Sequence, residues 1–191
     1  MTRRGAAALS LIVLAELACQ LRRPDVPPVR MIEPELLAPQ ASPRHDAAPT
    51  PIRLLDTQAR AHIGRKLLHR EPNGELTSDP VWHWSSTPDR YLDSALRLAF
   101  GSSADLRLVD AGSAATLAVT LTEWHLEAPP QLVGAIELAV TAEDRTVTTH
   151  MIRKVQPVSS ELPGDLAGAA GRLLNELAAE SLVETGKDVR R

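Results

Sequence analysis

Between residues 115 and 155 the sequence runs through three strand-like segments in a row, and this block most narrows what the chain can fold into. The segments "ATLAVTLTEWHLEA" (115–128), "QLVGAIELAVTAE" (131–143) and "RTVTTHMIRKV" (145–155) are separated only by Pro129-Pro130 and by the polar turn "AEDR". Leu117, Val119 and Leu121 alternate with Ala118, Thr120 and Thr122, and Leu132, Ile136, Leu138 and Val140 behave in the same way. Each strand therefore has a face to bury. Connections this short join antiparallel neighbours, because a parallel crossover needs about a dozen residues or more.

Helical patterns flank the block. "SSTPDRYLDSALRLAFGSS" offers Thr87 as N-cap, Pro88 at the first helical position, Asp89 in the positive first turn and Gly101 past the end. Leu92, Ala95, Leu96 and Ala99 fall on one face, with Tyr91 and Phe100 at its edges. After Pro163, an apolar stripe of Leu166, Ala169, Ala170, Leu173, Leu174, Leu177, Ala178 and Leu182 marks a second helix, ended by Gly186 and the charged tail 187–191. Gly168 and Gly171 each weaken that helix by up to ~1 kcal/mol relative to Ala, so it depends on docking.

Upstream, strands are expected at 52–56, at 63–70 with Ile63, Arg65, Leu67 and His69 on one face, and at 76–84 beyond the Asn73-Gly74 turn. A shorter one is expected at 106–111. The expected fold class is α/β: a single domain over 52–186, with a mixed, largely antiparallel sheet and two main helices packed on it.

The first residues read differently. Arg3 and Arg4 precede an uncharged, mostly apolar run from Ala6 to Ala15, the layout of a signal peptide over 1–18. Glu16, Arg22 and Arg23 end the run well short of the ~20 apolar residues that span a bilayer. Cys19 is the only cysteine, so it closes no intramolecular disulfide and lacks a second thiol for a metal cluster. Eight of the fifteen prolines lie between Gln20 and Pro51, which makes 19–51 an extended tether. Within it, "VRMIEPELL" (29–37) is apolar enough for a short edge strand.

Little of the sequence points to catalysis. The formal charge of −3 becomes −4 once Arg3, Arg4 and Glu16 are removed, which argues against a nucleic-acid partner. His62, His69, His83 and the other histidines form no His-x-x-x-His or His-Glu-x-x-His pair. Glu123, His125 and Glu127 share one strand face, an arrangement open to metal binding or acid–base work; the plainer reading is a solvated face with Trp124 and Leu126 packed inward. The serines lack a Gly-x-Ser-x-Gly elbow, and no Gly-rich phosphate loop occurs. No metal or cofactor is expected. Trp82, Trp84 and Tyr91 read either as packing ahead of the first helix or as an exposed aromatic contact for a partner or lipid.

Leu17-Ala18-Cys19 resembles the lipobox of bacterial lipoproteins, although Glu16 stands where Leu, Val or Ile is usual. The resemblance implies cleavage after Ala18 and acyl chains on Cys19. Several chains, at ~0.8 kcal/mol per buried CH₂, hold where one is marginal. Gln20, in place of an aspartate, implies sorting to the outer membrane.

The order of features as a whole resembles the ABC-type transport auxiliary lipoproteins, the group of paraquat-inducible protein C-like proteins. It rests on the cysteine, on "VRMIEPEL", on "HWSSTPDRYLDSALRLAF", on "ATLAVTLTEW" and on the Ala/Leu-rich last helix. It implies a non-enzymatic subunit of an MCE-type lipid transport system. Such a subunit is anchored at the periplasmic face of the outer membrane and docks a conduit made by MCE-domain proteins, whose permease and ATPase supply the energy. Phospholipid contact and homo-oligomer assembly are compatible with it. Two other classes stay open: a lipoprotein regulator of a peptidoglycan synthase, and a secreted hydrolase using His125 or a distant serine.

Overall fold

The computed structural model describes residues 27–37, 48–142, 144–160 and 162–190. Ala18 and Cys19 lie outside the described residues, as do the rest of the signal peptide and the start of the tether. The described strands are β1 (Arg30–Ile32), β2 (Thr50–Leu54), β3 (Gln58–Ala59), β4 (Lys66–Arg70), β5 (Leu76–Trp84), β6 (Leu106–Leu108), β7 (Ala115–Glu127), β8 (Gln131–Thr141) and β9 (Val147–Pro157). Helix α1 (Pro88–Gly101) follows β5, and α2 (Pro163–Asp188) follows β9.

β7 is the spine. Along one edge it pairs antiparallel with β8 from Thr116↔Thr141 to Glu127↔Gln131, and β8 pairs likewise with β9. Along the other edge it takes three parallel partners in succession: β2 at Ile52↔Ala115, β3 at Gln58↔Thr120 and β4 at His69↔Leu126. β6 adds to β2, while β5 and then β1 extend the sheet from β4. The long ladders are antiparallel and the short ones parallel, so the mixed, largely antiparallel sheet with two helices is observed as expected.

A bulge between Leu121 and Glu123 keeps the buried face of β7 in phase. Leu117, Val119 and Leu121 are buried ahead of it and Trp124 and Leu126 beyond it. The extra residue, Thr122, donates its hydroxyl to the Ala135 carbonyl at 3.1 Å. Without that insertion the two apolar halves of β7 would point to opposite faces.

Both helices lie on this face. α1 buries Tyr91, Leu92, Ala95, Leu96, Ala99 and Phe100, and Thr87 is its extended N-cap, although the threonine side chain makes no cap hydrogen bond. α1 includes Gly101, and Ser102 is its C-cap. α2 buries seven of the eight stripe residues completely, with Leu182 at the margin. It crosses β8 at Gly134, where a Cβ would stand 3.1 Å from a Leu173 methyl and 3.2 Å from one of Leu177. Glycine there lets helix and sheet approach closely.

Beyond that crossing, α2 faces β9 through matched polar rows. Gln156 bonds Glu176 at 2.6 Å, Lys154 bonds Glu180 at 3.0 Å, and His150 lies between Glu184 and Asp188 at 3.7 and 2.7 Å. Four helical residues rise about 6 Å and two strand residues about 6.6 Å, so the two rows stay in register. These contacts carry α2 through Gly186 to Asp188, past the stop expected from the glycine. Helical backbone is open to glycine when tertiary contacts hold it.

Three further differences have local causes. β3 was not foreseen, and β4 begins at Lys66 rather than Ile63. In the β4–β5 turn only Gly74 has positive φ, 86°; Pro72 and Asn73 form the turn proper and the Asn73 side chain accepts from the Glu75 N–H at 2.9 Å. That is a three-residue turn closed by a glycine bulge, not a two-residue Asn-Gly turn.

Candidate functional site

The aromatic stretch ahead of α1 is a joint. β5 places Trp82 and Trp84 on one face, two residues apart, but their fates differ. Trp84 is 0% exposed and meets Trp124 edge to face, with ring centroids 5.6 Å apart; Trp82, two residues after Pro80, is half-buried. Neither buried indole N–H finds an acceptor among the described residues. Tyr91 is buried, and its hydroxyl bonds Ser85, accepts from the Ser86 N–H at 2.7 Å and donates to Glu33 at 3.0 Å. Burial pushes the Tyr91 phenol above its ordinary value, and Glu33 adds to this against the Ser85 and Ser86 hydrogen bonds.

Glu33 belongs to the segment that follows β1, so the phenol ties that segment to the start of α1. Two residues on, the Glu35 backbone lies against α2 at Gly171, where a Cβ would come within 2.9 Å of the Glu35 carbonyl carbon and closer still to its oxygen. Ile32 and Pro34 are buried beside these contacts. Residues 30–36 thus belong to the folded body.

Asp79, which the sequence reading did not single out, fixes Trp82. Its carboxylate accepts from the Val81 and Trp82 N–H groups at 2.7 and 2.8 Å and lies 3.3 Å from His69. Burial works to raise its pKa, but the two N–H groups and His69 outweigh it, and Asp79 titrates below its ordinary value. Asp79-Pro80 inside a strand pattern is the signal that marks this break. Arg30 sits over the Trp82 ring, its guanidinium carbon 5.4 Å from the centroid. Arg65 donates to the carbonyls of Trp84 and Ser85 at 3.2 and 2.8 Å.

Glu123, His125 and Glu127 do share a face, but His125 is only 2% exposed, so that face is not simply solvated. The parallel docking of β4 brings Arg70 onto the ring, where its Nε donates to His125 Nε2 at 3.0 Å. The nitrogen that accepts from a guanidinium carries no proton, so His125 is neutral with that lone pair occupied. Burial first and Arg70 second hold its pKa below the ordinary value, while Glu123 and Glu127 pull the other way. Glu127 is 3.5 Å from His125, 2.8 Å from Gln131 and 3.5 Å from Arg153. Beside this network a cavity of about 170 Å³ opens between Arg70, Pro72, Leu126 and Pro130. Among the described residues no cluster of three His, Cys, Asp or Glu side chains is placed to hold a metal. His62 is exposed and His83 half-buried, and neither joins these networks.

No family model matches the chain, and no curated protein matches it significantly. Among solved structures, a Xanthomonas campestris protein assigned to the DUF330 family superposes with a TM-score of 0.67 at 18% identity, covering 84% of this chain and 97% of that one. An uncharacterized protein superposes with a TM-score of 0.61 at 10% identity over 85% and 99% of the two chains. These likenesses establish a shared fold. A minor lipoprotein from Acinetobacter baumannii fits more loosely, with a TM-score of 0.38 at 7% identity over 73% of this chain and 94% of that one.

Proposed function

We propose that this chain is a non-enzymatic lipoprotein of an ABC/MCE-type intermembrane lipid transport system. Acyl chains on Cys19 hold it at the periplasmic face of the outer membrane, where it docks the conduit formed by MCE-domain proteins. The observation that carries this reading is the use made of "HWSSTPDRYLDSALRLAF", the most specific part of the resemblance. Its Trp84, Ser85, Ser86 and Tyr91 are spent on a joint that locks the chain after β1 into the body. A stretch used in this way supports a scaffold rather than a catalyst. Work on lipid would then come from the permease and ATPase. Of the aromatic residues weighed as partner contacts, Trp82 alone keeps substantial surface, so contact through this stretch falls to it.

Mass spectrometry of the mature N-terminus, followed by co-isolation from membranes, tests the reading. The expected result is an acylated Cys19 at the N-terminus, absent in Cys19→Ala, and MCE-domain protein retained with the wild type. An unmodified thiol on a chain that captures no MCE-domain protein would overturn it.

A further inference from the structure

We propose that the β1–β5 edge is the membrane-facing side of the domain, resting on anionic phospholipid with Trp82 at headgroup level. This rests on the acylation of Cys19 argued above. Seven residues stand between Cys19 and Pro27, eight steps along the chain that fully extended reach at most about 29 Å. A domain of this length has a radius of gyration of about 16 Å and is about 40 Å across. The tether is shorter than the body it holds. The edge where the chain enters must therefore stay near the bilayer, and Pro27 leads directly into β1.

That edge has the chemistry of an interfacial surface. Pro27, Pro28, Pro80, Val81 and Trp82 line an open groove of about 410 Å³, with Arg30 at its side. Val29 and Met31 beside it are 48% and 52% exposed, apolar area for which the fold itself has no use. Tryptophan favours the headgroup region, where its ring is half in apolar surroundings and its N–H is wet. Arg30, Arg65 and Lys66 are exposed on β1 and at the start of β4. Among the described residues no carboxylate lies within ion-pair distance of any of them. Asp79, the carboxylate lining the groove, is engaged by the Val81 and Trp82 N–H groups and by His69. Arg30 lies over the Trp82 ring, Lys66 on the other face of the same edge region, and Arg65 is held by the Trp84 and Ser85 carbonyls. All three thus keep their charge without a carboxylate partner among the described residues, which with the aromatic ring suits a surface of phosphate headgroups.

The chain carries its own probe. It has three tryptophans, and Trp84 and Trp124 are 0% and 2% exposed, so a quencher in the surroundings reports on Trp82. The mature lipidated protein is placed in vesicles of phosphatidylethanolamine and phosphatidylglycerol with brominated acyl chains, and flotation is measured beside fluorescence. The expected result is a protein that floats and whose emission is quenched, with quenching lost in Trp82→Phe. It should weaken in Arg30→Gln/Lys66→Gln and in vesicles of phosphatidylcholine alone, while flotation persists. Protein that floats with unquenched emission overturns the orientation and leaves the anchor standing. Protein that does not float overturns the anchor, and this proposal with it.

Discussion

Gly171→Ala isolates the contact that holds the N-terminal segment on α2. In a free helix the change stabilises by up to ~1 kcal/mol, because alanine loses less backbone entropy. Here the new methyl would meet the Glu35 carbonyl, a backbone group that cannot rotate away, at 2.9 Å from its carbon and closer to its oxygen. The 33–37 segment must lift. Losing the Tyr91–Glu33 hydrogen bond costs about 1.5–3 kcal/mol, and losing the partial burial of Leu36 costs roughly 1 kcal/mol. Set against the helix gain, the net is a destabilisation of about 2 kcal/mol, or ~4–8 °C in Tm for a domain of this size. Gly168→Ala is the control, since its Cβ would meet only the Arg172 guanidinium at 3.4 Å; that variant should match or exceed the wild type. Urea and thermal unfolding of both variants read the difference. Should Gly171→Ala prove as stable as Gly168→Ala, the segment does not cross α2 at that point.

Gly134→Ala meets a methyl of Leu173, one of Leu177 and the Leu173 Cγ, side-chain atoms that can shift where a backbone carbonyl cannot, so its cost by urea unfolding should sit at the low end for overpacking, about 1 kcal/mol; a loss equal to that of Gly171→Ala would refute the distinction between soft and hard neighbours. Tyr91→Phe strands the Ser86 N–H and frees Glu33, and should cost about 1–3 kcal/mol while raising amide hydrogen exchange at residues 30–36; unchanged exchange there would remove the joint. His125 has a lowered pKa in the folded state, so the unfolded chain binds its proton more readily: the stabilisation is complete above about pH 6.5 and is lost as pH falls below that value towards the folded one. His125→Gln, which keeps an acceptor for Arg70, should flatten the dependence of urea midpoint on pH between about 5 and 7; a slope equal to the wild type's would refute the assignment.

What could be read in advance depended on how local its cause was. The three strands from Ala115 to Pro157 announce themselves because each repeats one inward residue in two over many positions. Gln58–Ala59 is too short to show any period, and it exists only because β7 offers an edge there. Trp82 and Trp84 are indistinguishable in sequence, yet one is sealed and the other is not, because only Trp84 meets the Trp124 ring, which comes from a strand 40 positions later. His125 looked like a surface residue because the arginine covering it comes from a parallel strand 55 positions earlier. Helix α1 was marked by its own Thr87-Pro88-Asp89 start, whereas the last turn of α2 follows from His150 and Glu184 on different elements.

The same distinction explains why Glu33, Glu35 and Gly171 matter together. Gly171 shows in sequence only as a weak point of its helix and Glu33 and Glu35 only as part of a short edge segment; the contacts themselves join residues at least 58 positions apart. Under the anchoring proposed above, any pull on the domain enters through this segment, because the tether runs straight into β1. A three-residue edge strand held by its ladder alone would peel, since opening each pair exposes the next. The chain after β1 is instead held by three unlike contacts: Ile32 sealed in the core, Glu33 bonded to the Tyr91 phenol, and the Glu35 backbone seated on a helix at its one glycine that lacks room for a Cβ. Releasing the strand therefore requires breaking a buried apolar contact, a charge-assisted hydrogen bond and a close backbone fit at once. Under a pull entering at β1, these unlike contacts would have to fail together, whereas a ladder alone would open pair by pair.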